Sequence, residues 1–266
     1  MTTATAPELL SETKDAVLTL TLNRPEVLNS LTMGMMKGLM GALKNAEKDK
    51  AVRCVILAAA GRAFCAGADL GDLKKRQAVK TFSLGDELRD HFNPLILQIR
   101  RMEKPVVGMI NGLAAGAGAS LILSCDMKVC SDQAKFINAF SKVGLVPDSG
   151  MTYYMPRSLG LSLALEHAWT ARPITAAQAL LFGWVNYVVA PDQLQVKTAE
   201  VTAELIKAPP RAVALTKRAM NRSLENTLEG QMEYEAQLQE ILGRTKDHAE
   251  GVSAFLEKRA PQFKGE

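Results

Sequence analysis

Residues 105–125, P-V-V-G-M-I-N-G-L-A-A-G-A-G-A-S-L-I-L-S-C, carry no charge. An uncharged apolar run of roughly 20 residues is either a membrane span or a segment buried by the rest of the chain. Glycines at 108, 112 and 116 would suit the packing face of a span. Against a span stand Asn111, Ser120, Ser124, the leading Pro105 and the lack of a second such run. The run therefore reads as a buried strand over 106–110, a glycine-rich turn and a short buried helix.

The flanking sequence continues that alternation. Residues 16–23 (A-V-L-T-L-T-L-N) read as a strand ending at Arg24-Pro25, and residues 51–59 as another closed by Gly61. Thr32 is placed to cap a helix reaching about Glu47, weakened by Gly34, Gly38 and Gly41. Residues 87–102 read as a helix bent near Pro94, and 127–130 as a strand. Strands alternating with helices predict an α/β layer architecture. Beyond Leu145 the pattern turns helical. Asp148 is placed to start a helix through Arg157, and Thr175-x-x-Gln178 is a capping box for a helix ending at Gly183. A short strand over 185–189 is followed by helices over 211–223, 226–242 and 250–259. The predicted division is an α/β core over 1–190 and a helical region over 191–266. Apolar spacing at Leu224, Leu228, Met232, Leu238 and Ile241 suits the second region to packing on a partner subunit.

Composition sets limits on partners. Lys and Arg number 32 and Asp and Glu 28, a net charge of +4. That is too weak and dispersed for nucleic acid, but it tolerates a small polyanionic ligand. Cys54, Cys65, Cys125 and Cys130 form no C-x-x-C pair and read as reduced core cysteines of a cytoplasmic protein. The first fifteen residues lack a basic and then apolar leader pattern. His91, His167 and His248 stand far apart without ligand spacing, so no metal is expected. No phosphate-binding loop, dinucleotide fingerprint or G-x-S-x-G elbow is present.

Two small-residue turns follow strands: G-R-A-F-C-A-G-A-D-L (61–70) and N-G-L-A-A-G-A-G (111–118). The second opens a helix, whose first N–H groups are free donors. Each is explained equally well as tight packing or as a backbone cradle. Two N–H groups aimed at one carbonyl oxygen would make an oxyanion hole.

These turns, taken in order with L-N-R-P (22–25), K-P-V-V (104–107), G-L-V-P-D-S-G (144–150) and S-A-F-L-E-K-R-A-P-Q-F (253–263), resemble the crotonase (enoyl-CoA hydratase/isomerase) superfamily. The resemblance covers nearly the whole chain. It implies a spiral of ββα units, a helical C-terminal trimerisation region, and trimers often paired into hexamers. It implies an acyl-CoA thioester substrate, with coenzyme A as part of that substrate and no other cofactor. The oxyanion donors would be the backbone N–H groups of Ala68 and Ala117. Contacts to the substrate would fall at Val27, Leu28, Arg62, Ala66, Ala68, Asp69, Leu70 and Phe140, with Phe255 and Lys258 toward the nucleotide end.

The departures from the family pattern carry the functional argument. Hydratases of the family use two glutamates; the matching positions here are Ser120 and Phe140. Neither side chain replaces a carboxylate as acid or base. Asp148 remains, at a place where double-bond isomerases of the family carry an aspartate. The expected reaction is an isomerisation through a thioester enolate: a double-bond shift or a ring-epoxide rearrangement, with Asp148 as general base. Apolar neighbours such as Phe140, Leu145 and Val146 would raise its pKa. Hydration or another crotonase lyase reaction, and a non-catalytic acyl-CoA-binding subunit, stay open at this point. Asp86, Glu87, Asp90 and His91 read as a solvated helix face, and Asp69 as a turn residue rather than a base.

Overall fold

The computed structural model describes residues 6–266. Residues 1–5, the start of the segment read as lacking a leader, lie outside the described residues. In chain order the strands are β1 (Leu9–Lys14), β2 (Val17–Leu22), β3 (Cys54–Ala59), β4 (Ala63–Cys65), β5 (Val106–Ile110), β6 (Leu113–Ala115), β7 (Met127–Ser131), β8 (Lys135–Ile137), β9 (Ile174–Thr175) and β10 (Tyr187–Val189). The helices are α1 (Met33–Lys48), α2 (Leu70–Gln77), α3 (Leu84–Glu87), α4 (Asn93–Arg101), α5 (Ala117–Ser124), α6 (Met151–Leu159), α7 (Leu161–Thr170), α8 (Ala176–Leu181), α9 (Leu194–Lys207), α10 (Pro210–Ser223), α11 (Leu228–Gly243) and α12 (Lys246–Leu256).

Two sheets result. One runs β1-β2-β3-β5-β7-β10 and the other β4-β6-β8-β9. Among the described residues only the β1–β2 and β8–β9 pairs are antiparallel. The pairs β3/β4, β5/β6 and β7/β8 each give one strand to each sheet, so every turn of the chain advances both sheets together. This is a spiral of ββα units. Strand β3, inside the larger sheet, is covered on both faces, which is why it reads C-V-I-L-A-A without alternation, whereas the edge strand β1 is largely exposed. The main core lies between the two sheets and helices α1, α4 and α5, around Leu20, Leu39, Leu57, Phe64, Ile99, Ile110 and Phe136. On the other face of the larger sheet, Cys54, Val107 and Val129 meet Leu194 and Val201 of α9. Helix α9 is thus a layer of the α/β core, whereas α10, α11 and α12 follow as a separate group.

Local predictions hold in most places and are corrected in some. Thr32 caps α1, its hydroxyl accepting the Met35 N–H at 3.0 Å. Thr175 and Gln178 form the capping box of α8. The uncharged run divides into β5, β6 and α5, and no helix among the described residues is long and apolar enough to cross a membrane. All four cysteines are free and buried. The helix expected over 87–102 with a bend near Pro94 is present, starting earlier at Leu84, as α3, a π-turn over Leu88–Phe92 and α4. Pro94 has no N–H to give, so the ladder resets just before it. The helix after Asp148 begins at Met151 with Gly150 as its N-cap, so the Asp148 side chain caps nothing.

Candidate active site

The turn after β4 is held by its neighbours rather than by its own small residues. Ala66 N–H donates to Leu28 O at 2.9 Å, Leu31 N–H to Gly67 O at 2.8 Å and Asp69 N–H to Leu31 O at 3.0 Å. Segment 28–31 therefore runs beside 66–69 as a short parallel bridge. This places Val27, Leu28, Ala66, Ala68, Asp69 and Leu70 on one rim, with Arg62 exposed on the preceding turn where Gly61 meets Pro25. Gly67, at φ +101°, admits no side chain: a Cβ there would stand 3.0 Å from Ala115 O and 3.5 Å from Ala117 N. Gly118 is closed in the same way, its absent Cβ falling 2.5 Å from Cys65 O. The two turns thus touch through glycine backbone.

That contact brings two unused donors to one place. Neither the Ala68 N–H nor the Ala117 N–H has a hydrogen-bond acceptor among the described residues. Ala117 is the first residue of α5, where an N–H has no partner within the helix and the dipole adds partial positive charge. Gly116 N–H, one residue earlier, is spent on Ile137 O at 2.9 Å, which fixes the turn to β8.

Asp69 is a brace. Its carboxylate accepts Arg24 Nη1 at 2.8 Å and the Ser30 hydroxyl at 3.1 Å, and it caps α2 through the N–H groups of Gly71 and Asp72. The Arg24 bond above all holds its pKa below the ordinary carboxylate value, as suits a permanent anion and not a base. Arg24 and the buried Asn29 were not singled out by sequence. Asn29 donates to Ala60 O and Ala63 O, each at 2.8 Å, at φ +55°, a conformation asparagine tolerates. The L-N-R-P motif carried the sequence signal for Arg24, and Asn29 lies four residues beyond it.

Asp148 lies half-buried between β8 and α6, and burial raises its pKa above the ordinary value of 3.8. Leu145 and Val146 do not supply that burial; they are exposed, Val146 at 72%. The Ser149 hydroxyl donates to Asp148 Oδ1 at 2.8 Å and opposes the rise. Ser120, fully buried in α5, donates its hydroxyl to Asp148 O at 3.0 Å. Phe140 is buried in the turn before Asp148 and offers only an apolar wall. A groove of about 450 Å³ opens beside this segment, lined by Ile96, Leu97, Ser149, Gly150, Tyr153 and Tyr154 among others.

Several expected residues lie apart from this cluster. Phe255 is 83% exposed on α12, and Lys258 follows that helix at φ +55°. Their segment docks at the other end of β3, where Arg53 donates to Phe263 O at 3.2 Å. Asp86 pairs with Arg89 at 2.8 Å on a solvated face as expected, but Glu87 is not solvated: it is largely buried and pairs across to Arg76 of α2, tying α3 to that helix. Among the described residues no group of three or more His, Cys, Asp or Glu side chains could hold a metal ion.

A two-sheet spiral with paired small-residue turns and a carboxylate beside them defines a narrow class of folds. The sequence model of the family described as enoyl-CoA hydratase/isomerase matches residues 12–266. The chain is 41% identical over 257 residues to the 1,2-epoxyphenylacetyl-CoA isomerase of Escherichia coli (strain K12), covering 97% of this chain and 98% of that one. It is 33% identical to the 2,3-dehydroadipyl-CoA hydratase of the same organism, covering 97% and 99%. A crystal structure of enoyl-CoA hydratase from Mycobacterium smegmatis superposes with a TM-score of 0.90 at 33% identity, covering 97% and 99%. The chain belongs to the enoyl-CoA hydratase/isomerase family, of the crotonase superfamily.

Proposed function

We propose that this family member is an acyl-CoA isomerase that works through a thioester enolate. The observation that carries the reading is the state of the three acid–base positions. Ser120 spends its hydroxyl on a backbone carbonyl, Phe140 is a wall, and Asp148 alone keeps a carboxylate, with a raised pKa. In this reading the thioester oxygen lies between the Ala68 and Ala117 N–H groups. Asp148 takes a proton from the carbon next to the thioester, negative charge passes to that oxygen, and the proton returns at the far end of the conjugated system. One carboxylate suffices for that shuttle, whereas adding water asks for two groups. Isomerase in the name of the 41%-identical relative supports it; a ring-epoxide rearrangement is the other reaction of the same class.

Coenzyme A enters as part of the substrate and no further cofactor is required. Its contacts are Val27, Leu28, Arg62, Ala66, Asp69 and Leu70, with Phe255 and Lys258 serving the nucleotide end in a cytoplasmic homotrimer or a hexamer of paired trimers. A hydratase reading is favoured by one observation, the hydratase name of the 33%-identical relative.

The test is incubation of a cis-3-enoyl-CoA and a trans-2-enoyl-CoA in deuterated water with mass analysis of the products. The isomerase reading expects the first to become conjugated and the second to gain no water. Water added at an enzyme-like rate would replace it with the hydratase reading, and binding without change would leave a non-catalytic acyl-CoA-binding subunit. Asp148→Asn is expected to lose about 10²–10⁴-fold in rate while still binding the thioester.

A further inference from the structure

We infer that Ser120 is a positioning residue that sets where Asp148 stands relative to the Ala117 N–H. The inference rests on the base assignment just made. Helix α5 buries two serines, and they are used differently. Ser124 returns its hydroxyl to its own helix, at 2.6 Å from Leu121 O. Ser120 reaches out of the helix to Asp148 O at 3.0 Å, while its own helical acceptor, Gly116 O, stands at 3.5 Å. A fully buried hydroxyl must be paired, and this one is paired across a segment boundary.

The segment it holds would otherwise be poorly tied. Ser149 and Gly150 are both left-handed, at φ +53° and +84°, and the first of these is strained for a serine. Among the described residues Asp148 O accepts only the Ser120 hydroxyl and the Met151 N–H, the latter at 3.0 Å. Ala117 and Ser120 lie three residues apart on one helical turn, so they share a face of a rigid element. The proposed donor and the proposed base are therefore spaced by a single turn of α5 and one hydrogen bond. Where hydratases of the family place a carboxylate, this chain has a fastener for a carboxylate that stands elsewhere.

The full-length wild type is compared with Ser120→Ala, Ser120→Thr and Asp148→Asn. The readouts are kcat and KM for conversion of a cis-3-enoyl-CoA, deuterium wash-in beside the thioester, and thermal melting. Ser120→Ala is expected to lose on the order of 10- to 100-fold in kcat and wash-in, the scale of a small misplacement, with KM within about twofold and the fold retained. Ser120→Thr keeps the hydroxyl and is expected to recover most of the rate. Wild-type kcat in Ser120→Ala overturns the positioning role, as does a loss confined to KM or a Ser120→Thr variant no better than Ser120→Ala. Should Ser120→Ala fail to fold, Ser120→Thr near wild type supports the role and a folded Ser120→Thr without activity overturns it. If Asp148→Asn turns over at the wild-type rate, or the wild type does not turn over, the base assignment itself falls and this role with it.

Discussion

Burial of a carboxyl has two consequences that share one sign. Asp148 in the folded chain holds its proton more tightly than in the unfolded chain, because burial disfavours the anion. At acid pH both states are protonated and the group contributes nothing to stability. As pH rises from the ordinary value of 3.8 through the raised folded value, the unfolded state ionises first and stability is lost. Asp148→Asn removes that loss. It should match the wild type in urea unfolding at low pH and become the more stable chain above the raised pKa, while remaining inactive. Equal stability at all pH values would show that the carboxyl is not held in an unfavourable setting. The acid limb of kcat/KM for the wild type should lie above pH 3.8 for the same reason. Gly118 makes the complementary case at the other turn. Gly118→Ala presses a methyl against Cys65 O, and about 1–3 kcal/mol of destabilisation is expected, read as a fall in the urea midpoint.

Elements were legible where their own residues declare them. Strands β3 and β5 are continuous apolar runs, and α8 carries its capping box in Thr175 and Gln178. The three-residue strands β4, β6 and β8 were not, because a run such as Leu113–Ala115 is too short to show a period and pairs only with residues far along the chain. The site divides in the same way. Ala68, Ala117 and Asp148 sit in recognisable turns, whereas the Arg24–Asp69 and Ser120–Asp148 bonds join segments whose closeness only the fold creates. One tie of that kind fixes a whole element. Lys217 of α10 donates to Asp126 Oδ2 at 2.7 Å and to Ile99 O at 2.8 Å, with 11% of its side chain exposed. Burial lowers its pKa against the pull of Asp126. Lys217→Met keeps the stem but leaves Ile99 O without that donor and leaves Asp126 with only the Val106 N–H at 2.8 Å and Arg100 at 3.7 Å, and a loss of about 1–3 kcal/mol in urea unfolding is expected. The coupling of that pair is read by adding Asp126→Asn to Lys217→Met: the double variant should lose less than the sum of the two single variants, since both remove the same contact.

For the whole molecule the question is how Phe255 and Lys258 reach a substrate held at Ala68. Strand β3 is six residues long, about 20 Å, and the C-terminal segment docks at its Arg53 end while the Ala68 turn follows the other end. Within one chain the two groups stand at opposite ends of the sheet. Helix α12 also leaves large apolar side chains in water on one face: Val252 at 47%, Phe255 at 83% and Leu256 at 74% exposed. Apolar side chains left open on this scale mark contact sites in soluble proteins. Both facts follow if α12 of one copy serves the site of another. Sedimentation is then expected to give three or six chains per particle. Phe255→Ala with Lys258→Ala should raise KM for the CoA thioester and leave kcat near the wild type. Mixing that double variant with Asp148→Asn gives the sharper outcome. Each parent lacks one half of the site, and mixed particles should regain low-substrate activity that neither parent has. Additive activities after subunit exchange, or a single-chain particle at working concentration, would place both halves of the site on one chain and remove the need for assembly.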